Sequence, residues 1–103
     1  MVTQKIISNI LKPLIISGVY KDETVALKDI IADYMHRRIE EYATVIKKME
    51  SKYGNDFDAV SKKIKKRATI EVEDDWMEWK GAIVMNRSWH QALKKFLNNA
   101  AKI

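Results

Sequence analysis

Asp33-x-x-His36 sets a carboxylate and an imidazole on one face of a helical stretch, and Glu40 follows four residues later on that face. Carboxylate-bridged di-iron bundles use Glu-x-x-His on two helices plus two further glutamates. This chain offers one variant copy, with Asp in place of Glu, so the spacing alone carries no metal site. The second histidine, His90, follows Trp89, and neither histidine belongs to a motif that would activate a nucleophile. Cysteine is absent, which removes disulfides, thiolate zinc sites, iron–sulfur clusters and thiol catalysis. Gly18, Gly54 and Gly81 stand alone, so no glycine loop is available to cradle a phosphate. Asn86-Arg87-Ser88 fits the glycosylation pattern but falls inside a helical stretch. The expectation is a protein with no catalytic, cofactor-binding or metal-binding residues, and not an enzyme.

Two charged runs remain as candidates. Lys62, Lys63, Lys65, Lys66 and Arg67 form a basic block, the natural footprint of a nucleic-acid-binding alternative. Directly after it come Glu71, Glu73, Asp74, Asp75 and Glu78, with Trp76 and Trp79 among them. Tryptophan supplies much of the binding energy at protein interfaces. Glu73, Asp74, Asp75, Trp76, Glu78 and Trp79 are therefore the candidate partner-binding residues. The competing reading places the indoles in a core and the acids at a helix N-terminus, where negative charge is favoured. One tryptophan is expected to be core and the other an anchor. The net charge of +5 is compatible with nucleic acid, but charge runs are more often solvated helix faces.

The elements that must position these residues are helices. The chain has 103 residues, 47% of them apolar, with three Gly and one Pro. That suffices for one domain spanning 1–103, and the turn signals are too sparse for an all-β sandwich. Ile6, Ile7, Ile10, Leu11, Leu14 and Ile15 predict a helix over 3–17, which Pro13 either kinks or divides. Asp22 caps a second helix over 22–53, and Gly54 stops it. Asp56 caps a third over 56–67. Thr69 to Glu73 alternates like a strand without a partner, so 69–73 reads as an extended linker. Asp75-x-x-Glu78 has capping-box spacing and opens a fourth helix over 75–100. Gly81 inside it would allow another helix to come close.

Within the second helix Met35, Ile39, Tyr42, Ile46, Met49 and Tyr53 alternate four and three apart, a coiled-coil-like seam. A straight helix over 22–53 would be roughly 48 Å long, longer than the diameter of about 34 Å expected of a compact domain of this size. The shorter helices of the same chain would leave the seam partly bare, so it reads as an oligomer seam. The longest apolar run, Leu14-Ile15-Ile16, is far below a membrane span, and no signal-peptide layout opens the chain. A cytoplasmic all-α homodimer or higher oligomer, with three to four helices around one long central helix, is the expectation.

Two stretches carry a resemblance. Gly18-Val19-Tyr20-Lys21-Asp22-Glu23-Thr24-Val25-Ala26-Leu27-Lys28-Asp29 resembles the junction between the helices of small prokaryotic ribbon-helix-helix antitoxins. Lys52-Tyr53-Gly54-Asn55-Asp56-Phe57, followed by Glu73 to Trp79, is similar to the tail of archaeal antitoxin-like proteins. The resemblance implies a dimer that binds and silences a toxin, often an RNA-cleaving one. The chain departs from the ribbon-helix-helix pattern at its start. Residues 1–7 pass directly into helical periodicity, where that family has a base-reading strand.

Overall fold

Asp22, Asp56 and Thr69 each accept a backbone N–H three residues on, at 2.9, 2.8 and 3.2 Å, and each opens a helix. These side-chain oxygens satisfy donors that a helix leaves orphaned at its start. The computed structural model describes residues 2–66 and 68–102. Among them, four helices and no strand are present: α1 (Val2–Ile16), α2 (Glu23–Tyr53), α3 (Phe57–Ile64) and α4 (Ile70–Ala100). The fold is all-α.

Helix α1 runs unbroken through Pro13. Gly18 follows at φ +80°, a left-handed backbone that glycine adopts without steric cost. Gly54 does the same at φ +67° and donates to the Glu50 carbonyl at 2.8 Å, closing α2. Helix α3 ends at Ile64 rather than 67, so Lys65 and Lys66 lie beyond it.

The largest difference from expectation is the start of α4. Residues 70–73 are helical and not an extended linker, because Thr69 provides the cap. Glu71 and Glu73 in the first turn suit the positive end of the helix dipole. Asp75 therefore opens no capping box; it sits inside the helix. The consequence is a fourth helix of 31 residues, as long as α2.

These two long helices pack side by side and antiparallel. The end of α2 meets the start of α4 through Lys52 and Asp75 at 2.6 Å, and through Tyr53 stacked on Trp79 with centroids 6.0 Å apart. At mid-length, Asn86 Nδ2 of α4 donates to the Ile39 carbonyl of α2 at 3.1 Å, and Tyr34 meets Trp89 edge-on at 5.8 Å. At the far end, Leu27 and Ile31 border the same notch as Phe96 and Ala100. Helix α3 folds across one end of the pair, and α1 packs on α2 at the other.

The main core lies at the α3 end: Met49, Val60 and Trp79 are buried, with Ile46, Tyr53, Phe57, Ile64 and Ile83 packed round them. The result is a rod of 59 × 25 × 24 Å with a radius of gyration of 19.8 Å. A compact domain of this length would have about 13 Å. No described helix is long and apolar enough to cross a membrane.

Candidate functional site

Helix periodicity sends the residues of the acidic run to different sides of α4. Trp79 points into the core and is 1% exposed, stacked on Tyr53 and edge-on to Phe57 at 5.3 Å. It presents no surface to a partner. Trp76 is half-buried: its ring stacks on Phe57 at 5.5 Å and its Nε1–H donates to Ser61 Oγ at 2.7 Å, which fastens α3 to α4. Lys80 Nζ stands 5.1 Å from its centroid. The edge of Trp76 still borders an open apolar groove with Met77, Gly81, Val84 and Met85.

Asp75 is also used within the chain. Its carboxylate accepts from Lys52 Nζ at 2.6 Å and from the Tyr53 hydroxyl at 2.5 Å. These bonds hold the Asp75 carboxyl below the usual carboxylate range, Lys52 making the larger contribution. The same contacts push Lys52 and Tyr53 up, in each case chiefly through Asp75. Lys52 also reaches Glu71 at 3.0 Å.

Glu73, Asp74 and Glu78 differ from Asp75. All three are exposed, and none makes an ion pair among the described residues. Beside them runs a stripe that the linker reading had hidden: Ile70, Met77 and Val84, seven residues apart and 80%, 68% and 50% exposed. Seven residues is two helical turns, so they line one face. Gly81 lies on the same face, and a Cβ there would meet no atom within 4 Å, so no helix of this chain comes close to it. Starting the helix at Thr69 would have revealed the stripe.

The oligomer seam is filled from within. Ile39 and Met49 are buried, and Met35, Tyr42, Ile46 and Tyr53 are half-buried. Antiparallel packing of α4 from Asp75 onward, with α3, covers the seam, Tyr53 meeting Asp75 and Trp79 and Met49 packing with Trp79 and Val60, so the premise of a bare seam does not hold. Around its middle, the Arg38 guanidinium lies 5.2 Å from the Tyr42 centroid and 5.8 Å from that of Trp89, bonding Glu41 at 2.6 Å and the Tyr42 hydroxyl at 2.8 Å. This cluster was not anticipated, although the four-residue spacing of Arg38 and Tyr42 announces it.

Lys62, Lys63, Lys65 and Lys66 are all exposed, but only the first two belong to α3. Arg67, the last of the basic block, lies outside the described residues. Asp33 is paired with Arg37 rather than offered to His36, and the described residues hold no cluster of metal-ligating groups. Asn86 spends its amide on the α2 backbone, which explains the polar residue in a helix interface. Compared with known protein families, with curated proteins and with solved structures, the chain matches none.

Proposed function

We propose that this chain is a non-enzymatic helical module that binds another protein through the outer face of α4. One observation carries the reading: the stripe Ile70–Met77–Val84 is exposed and apolar beside the uncommitted carboxylates of Glu73, Asp74 and Glu78. Exposed apolar surface rimmed by charge is the composition of an interface. Its acidic border selects a partner with a basic rim around an apolar patch, since complementary potentials steer association. An RNA-cleaving protein carries such a basic surface to hold its substrate. That chemistry agrees with the resemblance of Gly18–Asp29 and Lys52–Phe57 to antitoxins. The partner class we propose is accordingly an RNase toxin, silenced by occupation of its basic surface.

Direct nucleic-acid binding is the weaker reading. Lys62, Lys63, Lys65 and Lys66 are divided between a short helix and a turn, next to the acidic start of α4. The test of the main reading is co-expression with the product of the adjacent gene. The expected result is relief of that product's growth arrest and a complex that copurifies. Arrest that persists with both proteins present and folded overturns it.

A further inference from the structure

A cavity of about 450 Å³ opens where α2, α3 and the middle of α4 meet. Its apolar lining is Ile46, Phe57 and Ile83, all half-buried, together with the buried Trp79. Charge is divided across it. Glu50 of α2 and Asp58 of α3 line one wall, and Arg87 of α4 lines the other. All three are exposed, and none makes an ion pair among the described residues. The other charges of the lining are already engaged. Asp56 caps α3 by accepting from Ala59 at 2.8 Å, and Lys80 turns its ammonium onto the Trp76 ring, 5.1 Å from the centroid. Opposite charges that face one cavity without meeting leave both signs free for a ligand. The Trp79 Nε1–H is likewise buried without an acceptor among the described residues, an unused donor of a kind that native folds rarely leave.

We infer that this cavity binds a small elongated zwitterion, an aliphatic chain with an ammonium at one end and a carboxylate at the other. The helices set its direction. Met49 and Tyr53 pack on Trp79, so Glu50 stands level with Lys80, at the α3 end of the cavity. Arg87 lies two turns, about 10 Å, further along α4. The ammonium therefore goes to Glu50 and Asp58, beside Phe57. The carboxylate goes to Arg87, whose planar guanidinium can hold it through two parallel hydrogen bonds. The methylenes between them cover Ile46 and Ile83. An apolar lining with a few placed polar groups is the usual make-up of a small-ligand site. An α-amino acid carries its two charges too close together to reach both ends. A simple cation leaves Arg87 unused and a simple anion leaves Glu50 and Asp58 unused, so only a ligand of both signs engages the whole cavity. That chemistry belongs to a free ω-amino acid and equally to a lysine at the C-terminus of another chain. Of the cavity's lining, Lys80 and Val84 also border the outer groove of α4, but the charged groups that select the ligand do not, so the site is independent of the partner proposed there.

The test is calorimetric titration of the full chain with 6-aminohexanoate, hexylamine and hexanoate. The expected result is saturable one-to-one binding of 6-aminohexanoate, each single-ended probe being weaker by about tenfold or more, the scale of one charge-assisted hydrogen bond. Arg87→Gln should abolish the advantage of 6-aminohexanoate over hexylamine, and Glu50→Gln/Asp58→Asn its advantage over hexanoate. Neither change should lower helix content by circular dichroism. Met77→Ala, on the outer face of α4, should leave all three affinities unchanged, whatever becomes of the partner proposed for that face. An acetylated tripeptide ending in lysine separates the two sources. Binding tighter than that of 6-aminohexanoate assigns the site to chain ends, and weaker binding assigns it to the free zwitterion. No saturation by 6-aminohexanoate at tens of millimolar, equal affinity for the three probes, or affinities indifferent to both charge variants overturns the inference.

Discussion

Trp76 and Trp79 are three residues apart and play different parts, which defines what each substitution should do. Trp79→Ala empties the centre of the core beside Met49 and Val60 and should cost about 3–5 kcal/mol. Trp76→Ala removes one stack on Phe57 and one hydrogen bond to Ser61. It should cost about 1–3 kcal/mol, with α3 loosening first. Thermal melts of the two variants check the order. Asp75 gives a pH signature. Its carboxyl is held below the usual range in the fold, so its stabilisation is present above that range and is lost as pH falls through the lowered value. Lys52 is raised, so its share is present below the ordinary lysine range and is lost as pH rises through the folded value. Stability should therefore be level near neutrality and fall at both extremes, and Asp75→Asn should flatten the acid limb. An acid limb identical in Asp75→Asn would show that the Lys52–Asp75–Tyr53 cluster is not formed.

Most of the helices were legible in the sequence because their stops are chemical. Asp22, Asp56, Gly18 and Gly54 act through side-chain acceptors and left-handed backbone that few other residues supply. The start of α4 was not legible. Thr69-Ile70-Glu71-Val72-Glu73 alternates with the period of a strand, and five residues are too few to separate that period from a helix. Thr69 was the missed signal, since threonine is a favoured cap. Thr69→Ala should cost about 1 kcal/mol, measured by urea unfolding. Gly81→Ala should act oppositely. The position is helical with open space for a Cβ, so stability should rise by about 0.5–1 kcal/mol. A loss of stability there would mean that a helix already lies against Gly81.

At the scale of the whole molecule, antiparallel packing decides where the apolar surface lies. A helix beginning at 75 already reaches the end of α2 through Asp75 and Trp79, so the Met35 to Tyr53 seam closes inside the chain. The uncovered apolar surface lies elsewhere, on α1 and on the outer side of α4. Neither surface could be found from periodicity alone, because α1 is apolar on both sides and the outer stripe of α4 is a spaced set of three residues with a glycine. The acidic run stands out in the sequence, and helix geometry divides it into an internal member, Asp75, and the outward Glu73, Asp74 and Glu78.

The proposal that α4 binds a basic partner by its outer face is tested most directly by calorimetric titration of the copurified adjacent-gene product with Met77→Ala and Asp74→Lys. Both positions are exposed and without a hydrogen bond among the described residues, so neither substitution should lower the melting temperature. An anchor at the centre of an interface is worth about 2 kcal/mol or more, so Met77→Ala should weaken binding roughly thirtyfold. Asp74→Lys should weaken binding most at low salt and so reduce its dependence on salt. Binding left unchanged by both substitutions would contradict the account.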